Sequence, residues 1–211
     1  MENNTSSAED LRTIRRIMEE STKFLSLSGL SGVFLGLFAI AGAVIAWLVI
    51  LDGGNFSYEM YLSNTAGKEA ATIRLQMALI ALTVLVLSVS AAFLFSLRNA
   101  KRSGMSLLTP ASKRLLINLS VPLAAGGTFA LILAFQNHVQ LIIPVFLIFY
   151  GLALINAGKF TYSEIFYLGV AEILTGLVSA LFPGQGLLFW ILGFGILHIV
   201  YGIMMYRKYQ V

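Results

Sequence analysis

The sequence predicts an all-α polytopic membrane protein, with six transmembrane helices and an N-terminal amphipathic interfacial helix. Three observations carry that prediction. Of the 211 residues, 58% are hydrophobic and only 11% are charged, against roughly 25% charged in an ordinary soluble domain. The apolar residues collect into six runs near the ~20 residues needed to cross a hydrocarbon core. Twelve of the fourteen Lys and Arg residues fall on one side of the zigzag that these runs describe, the asymmetry expected when basic loops stay cytoplasmic.

The elements follow in order. Residues 1–24 read as a cytoplasmic tail and amphipathic helix: Leu11, Ile14 and Ile17 or Met18 recur at helical spacing while Arg12, Arg15, Arg16, Glu19 and Glu20 take the other faces, a pattern suited to lying in a membrane interface or docking a partner. Residues 25–211 form the six-helix domain, with spans about 25–51, 75–97, 115–135, 139–158, 161–182 and 187–206. Runs such as VFLGLFAIAGAVIAWLVI are apolar on every side, which excludes a soluble bundle with polar faces. The first run follows a charged helical stretch and is too long for a cleavable signal peptide. The link 52–74, opening on DGGN, reads as turns with little regular structure. Arg98, Lys101, Arg102, Lys113 and Arg114 cluster between the second and third spans, where they are placed to meet lipid head groups. Thr109 and Pro110 read as the cap and first residue of the third helix. Pro122 with Gly126 and Gly127 predicts a kink in that helix, and Pro144 a bend in the fourth. Both termini are expected in the cytoplasm, with the chain in an inner membrane.

Glycines recur seven residues apart in four spans: Gly29 and Gly36, Gly151 and Gly158, Gly169 and Gly176, Gly195 and Gly202. Two helical turns separate each pair, so each pair opens one face for close helix approach, and Gly32 adds a GxxxG motif with Gly36. The fourth and sixth spans also resemble each other, and the first and fifth share a looser Gly-rich pattern, which raises an internal repeat.

Polar residues at membrane depth are few. In an antiparallel hairpin, residues equally far from the turn lie at equal depth, and by this rule Glu172 and His198 are level on the last two helices. Asn118 and Asn156 are level in the same way on the third and fourth, and an amide pair of that kind suits an interhelical hydrogen bond. A charged side chain at mid-bilayer costs from ~2.5 kcal/mol upward, so Glu172 and His198 are either a neutral pair sharing a hydrogen bond or an ion pair. Structural glue and a proton or solute pathway are the two leading roles. One Glu and one His are too few for a metal site, and no cofactor or metal is expected. Without cysteine, thiol catalysis, disulfides and iron–sulfur clusters are excluded. His138 and His198 offer no repeated pair for bis-histidine haem ligation. No nucleic-acid module, phosphate loop or dinucleotide fingerprint is present.

Gly29-Leu30-Ser31-Gly32 matches the GxSG of rhomboid proteases. It opens the first span, where the rhomboid pattern places its serine on a central helix, so Ser31 reads as a packing residue and no catalytic residue is assigned. Over LRTIRRIMEESTKFLSLSGLSGVFLGLFAIAGA the chain resembles a family of small, uncharacterised bacterial six-helix membrane proteins. That resemblance implies a bacterial inner membrane and no activity. The function expected is a non-enzymatic accessory or regulatory membrane component, contacting the lipid bilayer and a membrane or cytoplasmic protein partner or a second copy of itself. The alternative is a small proton-linked transporter or channel using Glu172 and His198.

Overall fold

In the computed structural model, which describes residues 28–51, 53, 67–104 and 106–209, six helices are long and apolar enough to cross a membrane. They are α1 (Gly29–Val49), α2 (Gly67–Arg102), α3 (Pro110–Phe135), α4 (Ile142–Gly158), entered through a tight turn over Val139–Leu141, α5 (Glu164–Leu181) and α6 (Gly186–Tyr209). The amphipathic helix expected in residues 1–24 lies outside the described residues.

Helix boundaries follow local chemistry. At the start of α3, Ser112 N–H donates to Thr109 Oγ1 at 3.1 Å and Thr109 N–H donates to Ser112 Oγ at 2.9 Å. This reciprocal capping box has Pro110 in the first turn, where its missing N–H is not needed. Residues 67–74, expected to belong to a link with little regular structure, are helical, because α2 already begins at Gly67. Ala70 and Ile73 in that early stretch are buried in a core cluster with Ala43, Leu147 and Leu187, so tertiary packing fixes a helix where the turn-forming residues before it suggested none. Pro144 is not a bend within a long helix. It sits in the first turn of α4, where no intrahelical donor is required. Pro122 is accommodated inside a continuous α3, and a turn later Gly126 lies under the Phe149 ring of α4.

The four glycine pairs resolve into two interfaces. A Cβ on Gly36 would stand 2.5 Å from the carbonyl oxygen of Gly195, and one on Gly202 would stand 2.5 Å from the backbone nitrogen of Val33. Gly29, Gly32 and Gly36 of α1 therefore pack backbone to backbone on Gly195 and Gly202 of α6. On the other side, Cβ atoms on Gly151 and Gly169 would come within 2.5 and 2.7 Å of each other's carbonyl oxygens, while Gly176 and Gly158 meet the Ile148 and Phe166 backbones. This is the α4–α5 interface. The buried stripe of α1 holds only Gly, Ala and Ser, the composition that lets membrane helices approach closely enough for dispersion to hold them.

α6 touches α1, α4 and α5, whereas α2 leans on α1 and α3 on α4. The two flanking helices are mostly bare: 11% of the apolar stretch of α2 is buried, against 44% in α4. Leu79, Leu82, Leu85, Val86, Val89 and Phe93 of α2 are exposed, which in a membrane is lipid contact. With 36 residues, α2 runs about 54 Å, beyond the ~30 Å hydrocarbon core, and its surplus carries Arg98, Lys101 and Arg102 past the apolar region.

Candidate functional site

Three central helices each bring one polar side chain to the middle of the bundle. α5 supplies Glu172, which is 0% exposed, and α6 supplies His198 at 3%. The His198 Nδ1 to Glu172 Oε1 distance is 3.3 Å, so the two residues expected to be level are also in contact. α4 adds Tyr150, whose hydroxyl lies 2.8 Å from His198 Nε2. The backbone contributes the Gly193 carbonyl, 3.2 Å from His198 Nδ1.

The path of α6 explains this convergence. Over Ile191–Leu197 the helix widens into a π turn, whose hydrogen bonds span five residues instead of four. The His198 imidazole reaches back over the same five-residue span to Gly193. Gly193 is required by its neighbour, since a Cβ there would lie 2.7 Å from Glu172 Oε2 and 2.4 Å from a Leu147 methyl. Phe194 closes the side, with its ring 5.3 Å from Tyr150 and 4.7 Å from Trp190. The Trp190 indole N–H in turn donates to the Ala39 carbonyl of α1 at 3.2 Å.

Hydrogen-bond chemistry fixes part of the protonation. A backbone carbonyl only accepts, so Nδ1 of His198 carries the proton that faces Gly193 and Glu172. Nε2 then either accepts from the Tyr150 hydroxyl or, when protonated, donates to it. Neither carboxylate oxygen of Glu172 has an aligned hydrogen bond, although both are fully buried. The contact with His198 is thus electrostatic more than directional. Among the described residues no group of three or more His, Asp or Glu side chains gathers as a metal site would need.

The other expected sites divide. Asn118 and Asn156 do not join: the Asn118 side-chain amide donates to the Arg114 carbonyl of its own helix at 2.8 Å. Equal depth fixes height but not azimuth, and a local i−4 acceptor is always in reach. The Ser31 hydroxyl donates to the Ser28 carbonyl one turn back, as a packing residue does. Arg98, Lys101, Arg102, Lys113 and Arg114 all stand exposed, with Leu108 between them 81% exposed. Tyr150 and Gly193 are the members of the central cluster that sequence reasoning missed. A signal for Tyr150 existed: it precedes Thr161, the middle of the α4–α5 turn, by as many residues as Glu172 follows it.

A second polar group ties the ends of α5 and α6. Lys208 Nζ and the Tyr209 hydroxyl both donate to Glu164 Oε1, the latter at 3.0 Å, and Tyr162 stacks on Tyr209 with centroids 4.4 Å apart. Burial pushes the Tyr162 hydroxyl above the ordinary phenol range, and Tyr209 and Glu164 add to the shift. This group latches the ends of two helices through Glu164, whose Oε2 also accepts from the Ser163 hydroxyl at 3.4 Å.

The chain is a multi-pass membrane protein by its six apolar helices, and no family model, curated protein or solved structure matches it.

Proposed function

We propose that this chain is a non-enzymatic accessory or regulatory component of a bacterial inner membrane. The observation that carries the reading is the contrast between its two polar regions. The mid-membrane groups are buried against one another, whereas all five basic side chains of the α2–α3 end are exposed. By the positive-inside rule that end, with both termini, faces the cytoplasm. Its cations sit beside exposed Leu108, an arrangement that suits anionic lipid head groups together with an acidic protein surface. Replacing Arg98, Lys101, Arg102, Lys113 and Arg114 by Gln tests it: the variant is expected to insert and melt as wild type does but to lose its associated protein. Retention of the partner at wild-type stoichiometry contradicts the proposal.

One observation favours the proton-linked alternative, namely the two Glu172 oxygens buried without an aligned donor, since intramembrane carboxylates of that kind mark proton paths. Reconstituted in liposomes, a transporter would carry protons or solute as wild type and lose that flux as Glu172→Gln. Equal flux for both proteins removes the alternative.

A further inference from the structure

The geometry points to a proton-binding site at Nε2 of His198, with Glu172 as its buried counter-ion and Tyr150 as the group through which the proton enters and leaves. This goes beyond the accessory reading and does not rest on it.

The two ring nitrogens of His198 differ in what they face. Nδ1 faces two acceptors, the Gly193 carbonyl at 3.2 Å and Glu172 Oε1 at 3.3 Å, so it stays a donor. Nε2 faces only the Tyr150 hydroxyl at 2.8 Å, a group that both donates and accepts. In the loaded state Nε2–H donates to the Tyr150 oxygen, and the imidazolium balances the Glu172 carboxylate, leaving the cluster without net charge. In the empty state the Tyr150 O–H donates to Nε2, and Glu172 loses its counter-ion, the costly arrangement that an unpaired buried charge makes, so the cluster favours the loaded state. Loading takes one proton from hydronium: Tyr150 passes its hydroxyl proton to Nε2 as its oxygen takes the hydronium proton, so two O–H bonds break, one N–H and one O–H bond form, and water leaves. Tyr150 is the one member of the three that is only partly buried.

Among the described residues no other ionisable side chain is hydrogen-bonded or ion-paired to His198. From α4 the site is faced by Tyr150, from α5 by Glu172 and from α6 by Tyr201, which packs in the same cluster as Tyr150. The described part of α1, packed on the other face of α6, carries no ionisable side chain. The Glu164–Lys208 latch lies about three helical turns along α6. Glycine at position 193 leaves the volume that the carboxylate occupies, and the π turn sets the carbonyl that holds Nδ1–H, so local backbone and counter-ion belong to one site.

The chain holds two histidines, and His138 is exposed in the α3–α4 turn. With His138→Gln and 15N-labelled histidine, the full-length protein in lipid nanodiscs therefore reports His198 alone. The proposal expects Nδ1 to remain protonated at every pH while Nε2 loses its proton in one step. It expects Glu172→Gln to lower the midpoint of that step by about one pH unit or more, because the balancing charge is gone. Tyr150→Phe is expected to slow hydrogen–deuterium exchange at Nε2 without unfolding the protein, an effect that a purely structural Tyr150 would not produce. The proposal is overturned if Nε2 keeps one protonation state across the pH range in which the protein stays folded, if Nδ1 is the nitrogen that titrates, or if the midpoint is the same in Glu172→Gln. The first two results come from a protein with unaltered site residues, so a misfolded variant cannot rescue the idea.

Discussion

At the scale of single residues, Gly36 and Gly127 show how little a sequence position says until its neighbour is known. Both are glycines inside apolar helices. A Cβ on Gly36 would meet the Gly195 carbonyl oxygen at 2.5 Å, whereas one on Gly127 would meet nothing within 4 Å. Gly36→Ala is therefore expected to destabilise by about 1–3 kcal/mol, the usual range for overpacking a tight contact. Gly127→Ala should be neutral or stabilise by up to ~1 kcal/mol through helix propensity. Reversible unfolding in mixed micelles measures both, and equal losses would mean that the α1–α6 interface is not a backbone contact. Seven-residue spacing made Gly36 legible in the sequence, but the spacing could not say that its partner would be α6. The same limit holds for Glu172 and His198. Their equal depth was readable from the short α5–α6 turn, while their contact depends on azimuth, which only the packed bundle sets. Asn118 and Asn156 passed the same depth test and do not pair.

At the scale of elements, α6 departs from a regular helix over Ile191–Leu197, and nothing in its composition beyond Gly193 and Gly195 announced this. A π turn absorbs one extra residue in an α-helix, so that the segments before and after it keep their facing. Leu187 and Trp190 before the turn, and His198, Gly202 and Met205 after it, all pack inward. Deleting Leu192, which is 39% exposed, should let the turn close to an ordinary α turn with both flanks still in register. Deleting Val200, 58% exposed and beyond the wide turn, removes a residue that no slack compensates. It rotates the rest of α6 by about 100°, carrying Gly202 off α1. Membrane insertion followed by thermal melting separates the two, with the first deletion melting well above the second. The reverse order would show that the wide turn is not the element absorbing the extra residue. Start signals were easier to read: Thr109 and Pro110 marked the head of α3 because a capping box is local chemistry, whereas the head of α2 at Gly67 depends on burial of Ala70 and Ile73 and so stayed hidden.

At the scale of the whole molecule, the all-α six-helix class was legible because length and hydropathy alone decide it. The neighbour map was not. Two glycine interfaces, α1 with α6 and α4 with α5, place α6 in the centre and leave α2 and α3 on the flanks. The resemblances of the fourth span to the sixth and of the first to the fifth put one member of each in each interface. We propose that this small bundle acts through another protein reached from its basic end. Purification of the tagged chain from its native membranes in mild detergent, with mass spectrometry of whatever accompanies it, tests this proposal. One companion at near-equal amount is expected, lost when the five basic residues of the α2–α3 end are replaced by Gln. A solitary protein, stable and free of companions in the same detergent, would contradict it.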